Sequence, residues 1–463
     1  MTLKRRRLSV LALAGLVVSL WLSVSQAQAA GVQNFTGQID GANFQIDVPQ
    51  PWNGTLVLWS HGYEAPSPAP RGIPADAPDA VSKQWLLGHG YALAASAYSK
   101  QGWALQEAFH DQIALLDHFN GLGFGHPQRT IAWGASLGGI ITAGLIQNDP
   151  GRFDGAIPLC GVLAGGVGVW NLGLDGQFAF KTLLAPDSAL QLVHITNPLG
   201  NFALASQLLT AAQATPQGRA RLALVSALGD LPGWFTPGSP EPARTDFAAR
   251  EQNQFMWDQN PDFFFTFDLR QELEARAGGN PSWNTGVDYR EQLARSVNHD
   301  EVFALYREAG LSVEDDLRTL AQAPRIAADP AAVDYLERFI IFNGQISQPV
   351  LTMHTLGDGL VLNQDEQAYA SVVRAAGNER LLRQTFVNGA GHCAFTSAEV
   401  VSAFTTMVNR LDTGRWSDST DAADMNATAA SLGLSPTRFV NFQPSAFLRP
   451  FDARNLRHER GDD

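Results

Sequence analysis

Cysteine is nearly missing from this chain: two residues, Cys160 and Cys393, among 463. With no C-x-x-C and no H-E-x-x-H or EF-hand-like spacing, the sequence offers no metal site, and no cofactor is expected. Positive charge is also scarce. Lys and Arg number 32 against 45 Asp and Glu, and four of the basic residues fall in the first thirty positions, which carry no acid. Without that segment the remainder stands at 28 against 45, a net charge of −17. Such a surface argues against nucleic acid or an anionic membrane as a partner. Long apolar runs are lacking too, apart from Leu8–Val24, and there is no internal repeat.

That one run follows Lys4-Arg5-Arg6-Arg7 and leads to Ala27-Gln28-Ala29, the order of a secretory signal with a small-x-small cleavage site. Residues 1–29 are therefore expected to be a signal peptide, and the protein secreted or periplasmic. No stable membrane anchor is expected after cleavage. A membrane anchor is the rival reading, but the run is short for one.

The chain's strongest local signal is Thr130-Ile-Ala-Trp-Gly134-Ala135-Ser136-Leu137-Gly138-Gly139. A short apolar strand, G-x-S-x-G and an apolar helix follow one another, the context in which the pentapeptide exposes a serine hydroxyl on a tight turn. By composition the pentapeptide alone occurs in roughly one chain in seven of this length, so its flanks carry the weight. Gly134 and Gly138 would let strand and helix cross closely. Around this stretch, apolar strands near 55–59, 91–97, 130–133 and 153–160 alternate with helical patterns, which implies a parallel sheet covered on both faces. The alternation stops at Gly161. Residues 161–348 read as a mainly helical insertion rich in aromatics, and strands resume at 349–353 and 381–387. Residues 412–463 read as an extended tail with Phe439, Phe442, Phe447 and Phe451 as packing points.

A serine needs a base, and the base an orienting acid. Of ten histidines, His392 lies in the Gly-rich stretch Asn388-Gly-Ala-Gly-His392-Cys393 after the last strand. His110 and His118 read as solvated residues of one helix, and His354 as structural. Asp358, in Leu356-Gly-Asp358-Gly359, follows another strand end; taken alone it would be an Asx turn former. The order Ser136, Asp358, His392 fits a nucleophile, acid and base. Backbone donors for a developing oxyanion are expected at Leu137 and, from His61-Gly62-Tyr63, at Tyr63.

These motifs, His61-Gly62, Gly134-Ala-Ser136-Leu-Gly138, Leu356-Gly-Asp358 and Gly391-His392, resemble those of serine hydrolases of the α/β-hydrolase superfamily. The resemblance covers about 30–160 and 349–411. It implies an α/β-hydrolase core in two parts, with 161–348 as a helical cap inserted between strands 6 and 7. It also implies acyl-enzyme chemistry on a small-molecule or polymeric ester, carboxylesterase-like, and serine in place of aspartate argues against dehalogenase or epoxide hydrolase activity. A peptidase for short peptides is the alternative, and a non-catalytic binding protein the third reading. Cap aromatics favour a bulky apolar or aromatic substrate, although aromatics in helices also serve as core. A disulfide is expected between Cys160, at the end of the sixth strand, and Cys393, beside His392.

Overall fold

The computed structural model describes residues 31–416, 420–434 and 436–455; the expected signal peptide, 1–29, lies outside the described residues. Among the described residues nine strands form one sheet: β1 (Val32–Ile39), β2 (Ala42–Pro49), β3 (Thr55–Ser60), β4 (Ala92–Ser96), β5 (Arg129–Ala135), β6 (Gly155–Leu159), β7 (Val350–Gly357), β8 (Leu382–Ala390) and β9 (Phe439–Val440). Their order is β1-β2-β4-β3-β5-β6-β7-β8-β9. The block from β4 to β8 is parallel, with the β1–β2 hairpin antiparallel at one edge and β9 antiparallel at the other.

Side chains alternate across a strand, and here both faces are buried. In β3, Leu56 and Leu58 join the cluster containing α2 (Leu105–Asn120) and α3 (Leu137–Asn148). Val57 and Trp59 face the opposite side, where they cluster with Leu86 of α1 (Ala80–Gly88) and with Phe404 and Met407 of the helix Ser397–Thr413. The run of uninterrupted apolar residues in β3, β5 and β6 thus follows from covering the sheet twice.

Between β6 and β7 the chain forms nine α-helices, beginning with α4 (Gly165–Leu184), and two π-helical turns, Asp258–Asp262 and Phe265–Leu269. These helices gather around a cluster of their own that includes Phe178, Phe180, Leu224 and Phe267. The segment leaves and rejoins the sheet at neighbouring strands, because β6 pairs with β7.

The tail corrects the sequence reading. Residues 422–431 form a helix, Ala422–Ser431, and Phe439–Val440 adds β9 to the edge of β8. Its short alanine-rich pattern carries a weak amphipathic signal, and a two-residue strand has no periodicity to read. Phe439, Phe447 and Phe451 are buried, while Phe442 is partly exposed and packs edge-on against Phe386. Arg449 reaches back into the helical segment to pair with the buried Asp175.

Cys160, directly after β6, is disulfide-bonded to Cys393, with Cα atoms 5.4 Å apart and a sequence separation of 233. The bond ties the end of β6 to the loop that carries His392. In the chain-entropy account, closing a loop this long contributes up to about 5 kcal/mol. Replacing both cysteines by serine should lower the melting temperature by several degrees; a melt unchanged within about 1 °C would show that the crosslink adds nothing.

Candidate active site

β5 runs straight into Ser136, whose backbone stands at φ 59° and ψ −123°, and α3 begins at the next residue. A non-glycine residue in this region is strained, and the strain persists only where the surroundings enforce it. The Ser136 N–H donates to the Leu159 carbonyl at 3.0 Å, and the Gly139 N–H to the Ser136 carbonyl at 2.8 Å. Close crossing completes the clamp. A Cβ on Gly138 would lie 1.9 Å from the Ser60 carbonyl oxygen, and one on Gly134 would lie 2.4 Å from the Gly138 carbonyl oxygen. Neither position can hold a larger residue without moving backbone.

The structure brings Ser136, His392 and Asp358 together. His392 Nε2 lies 2.8 Å from Ser136 Oγ, and His392 Nδ1 lies 2.8 Å from Asp358 Oδ2. Asp358 directly follows β7 and is fully buried; its Oδ1 accepts from the N–H groups of Leu360 and Val361. Burial would raise this carboxyl's pKa, but the neighbouring His392 and His354 outweigh it and hold the group far below the usual carboxylate range. A serine hydroxyl so bonded can pass its proton to the imidazole as it attacks an acyl carbon.

Gly62 and Tyr63 cross above the serine. A Cβ on Gly62 would meet Ser136 Cβ at 3.3 Å, and Tyr63 lines the same pocket as Ser136 and Leu137. The Leu137 N–H opens α3 and has no intrahelical acceptor. His61 does not reach the serine. Its ring stacks on Tyr98 with centroids 4.1 Å apart, and the Tyr98 hydroxyl donates to the His61 carbonyl, so this residue braces the loop. Among the described residues one group of His, Cys and acids, Cys160, His392 and Cys393, is compact enough for a metal, but the disulfide occupies both sulfurs.

One residue of the site gave no usable signal. His354, fully buried in β7, has Nε2 2.9 Å from the Val361 carbonyl and 3.5 Å from Asp358 Oδ2, while Nδ1 lies 3.1 Å from Glu366 Oε1. Both ring nitrogens face only acceptors, so the ring carries both protons. Burial works against this charge, but the hydrogen bonds to Asp358 and Glu366 raise its pKa to about 10. The structural role expected of His354 is therefore also electrostatic: an imidazolium behind Asp358, opposite His392. Its place shortly before Asp358 at the same strand end is no more than a faint sequence signal.

Ser136, Tyr63 and Leu137 open on one pocket. Of the aromatic residues in the helical segment, Trp170, Phe263 and Phe265 line it, and Phe263 also packs with Phe178 and Phe180 in that segment's own core. Trp103 and, from the tail, Phe447 complete the aromatic wall.

Sheet, strained turn and the Ser136–His392–Asp358 chain define a hydrolase of the α/β-hydrolase superfamily. The description of the prolyl oligopeptidase family matches residues 88–164. An o-phthalyl amidase from Xanthobacter agilis is 30% identical over 433 residues, covering 87% of this chain and 92% of that enzyme. The chain belongs to the same family as this amidase. Among solved structures it is similar to feruloyl esterase B from Aspergillus oryzae, with 14% identity, TM-score 0.42 and coverage of 84% and 82% of the two chains. It is also similar to an acylaminoacyl peptidase from Pyrococcus horikoshii, with 12% identity and TM-score 0.34; the match covers 83% of this chain and 42% of the peptidase.

Two outcomes follow from the charges. Removing one partner of a buried ion pair costs about 3–5 kcal/mol, so His354→Leu should be destabilised by that order, and its remaining folded fraction should turn over poorly. Denaturant titration with parallel ester assays checks this; a variant of native stability would make His354 electrostatically idle. The pH dependence has a definite sign. His354 binds its proton more tightly folded than unfolded, so its stabilisation is whole below about pH 6.5 and lost as pH rises towards about 10. Glu251 and Asp365, each raised to about 7 by burial, add a decline between about pH 4 and 7. Melting temperatures should fall from pH 6 to about pH 10, and rising values over that window would contradict these assignments.

Proposed function

We propose that this protein hydrolyses carboxylic esters and amides of a bulky, apolar or aromatic acid through an acyl-enzyme on Ser136. The observation that carries the reading is the unbroken chain from Ser136 Oγ through His392 to Asp358, at 2.8 Å per link, opening on the aromatic pocket. Ser136 attacks the acyl carbon while His392 Nε2 takes its proton. Asp358 holds the imidazole in the tautomer that presents Nε2 and offsets the charge it acquires. The oxyanion receives the N–H groups of Leu137 and Tyr63. His392 returns the proton to the departing alkoxide or amine, and water, activated by the same imidazole, releases the acid.

Amide cleavage joins ester cleavage here because the 30%-identical relative is an o-phthalyl amidase, an enzyme named for an aromatic acyl amide. A second reading, cleavage of short peptides, draws on the match of residues 88–164 to the prolyl oligopeptidase family. Aryl esters, aryl amides and short peptides assayed side by side separate the two: aryl acyl turnover supports the first, and exclusive peptide turnover selects the second.

Ser136→Ala and His392→Ala should each lower kcat by roughly 10⁴-fold or more while the fold persists. Because the residues act as a unit, the double variant should be scarcely worse than either single one. Losses that multiply would mean Ser136 and His392 do not work on the same proton.

A further inference from the structure

Several buried acids in this protein are matched by a cation, although Asp230, Glu251 and Asp268 are buried without one. Asp175 pairs with Arg449, Glu301 with Arg250, Glu274 with Arg270 and Glu399 with Arg438. The pocket beside Ser136 holds three further acids without a cation. Asp258, Asp262 and Asp365 line it, and the Oδ2 atom of each is buried without a hydrogen-bond partner. Asp258 is 3% exposed and Asp365 1%, so neither can turn to solvent. Asp365 spends Oδ1 on the Ala164 N–H at 3.0 Å, which leaves Oδ2 as its spare acceptor. Among the described residues, no Lys, Arg or His lines the pocket. Burial drives Asp258 and Asp262 well above the usual carboxylate range; Glu251 adds to the effect on Asp258, and Asp258 and Asp358 to that on Asp262.

Unmatched acceptors in an otherwise apolar wall cost stability unless something occupies them. A carboxylate in that place would add one more acid where no cation waits. A neutral hydrogen-bond donor would satisfy oxygens without favouring the ionised carboxyls, which accept more strongly. A cation with several N–H donors does both.

We infer that the acyl group of the substrate carries a protonated aliphatic amine, whose N–H groups donate to Asp258 and Asp262 while its apolar body lies against Trp170 and Phe263. The inference rests on the proposed acyl-enzyme reading and narrows its substrate class. Burial raises the pKa of these acids in the empty pocket, and an ammonium group beside them favours the ionised form, so protons are released on binding. The chemistry differs from that of an o-phthalyl acyl group, which bears an acid and no amine.

The test uses nitrophenyl esters with one leaving group and four acyl groups: acetate, para-aminomethylbenzoate, its isostere para-ethylbenzoate, and ortho-carboxybenzoate. Acetate turnover that disappears in Ser136→Ala reports on the nucleophile alone, and its absence would count against the acyl-enzyme reading. Charge-assisted hydrogen bonds predict that kcat/KM for the aminomethyl ester exceeds that for the ethyl ester by about 10- to 100-fold. That ratio should fall by about tenfold in Asp258→Asn and in Asp262→Asn. Equal rates for the two isosteres, a preference for the carboxybenzoate, or a ratio untouched by both substitutions would overturn the inference. Calorimetry on the unmodified protein decides independently of turnover or of how the variants fold. Benzylammonium should bind about tenfold or more tightly than benzyl alcohol, with protons released to the buffer, and equal affinities would sink the idea.

Discussion

An ionised carboxylate with no access to water is the constraint around which this molecule is arranged. Asp358 is fully buried, and a bare charge there would be expelled or neutralised. It stays ionised because two backbone N–H groups meet Oδ1 while Oδ2 lies between His392 and His354. The sandwich needs β7 to deliver His354 and the turn directly after it to deliver Asp358. It also needs the helix Gln364–Ala375 to deliver Glu366, and the loop after β8 to fold back with His392. The disulfide to Cys160 fixes that loop over the strand ends. The protonated His354 completes a line of alternating charge from Glu366 to Asp358, so the acid's low pKa belongs to the sheet itself and not to the exposed rim.

The sheet supplies the reacting groups, and the long helical segment and the tail supply the walls. Ser136, Asp358 and His392 follow strand ends, where side chains are held by the parallel core. Val225, Leu231, Phe263 and Phe265 come from the segment between β6 and β7, and Phe447 from far down the chain. A wall this apolar removes water from around the serine, which strengthens every electrostatic interaction made there. It also makes the three unmatched carboxyls conspicuous: in such surroundings each polar atom bears on what can bind.

The strained serine turn, the two glycines beneath it and the order of acid and base were legible in the amino-acid order. So was the alternation that builds a doubly covered sheet, and the two cysteines needed no choice of partner. A lone histidine in an apolar strand has no local mark of its charge, so the sequence shows His354 only as structural. Nothing near Asp258, Asp262 and Asp365 in sequence says that their counterions are missing. The tail is hard to read for a related reason: β9 is two residues long and exists because β8 offers an open edge.

Sequence alone decides what depends on short stretches of backbone. A serine held at φ 59° between a strand and a helix requires glycines two residues to either side, because the crossing backbones leave no room for a Cβ. That steric demand is written within a few positions and can be read there. Tertiary structure decides what depends on solvation and on distant charge. Whether Asp358 is ionised, whether His354 carries a second proton and whether Asp258 faces a partner depend on which atoms exclude water from them. Those atoms come from segments as far apart as residues 170, 265 and 447. The energy of a buried charge is set by everything within a few ångströms, and only the folded chain brings those neighbours together.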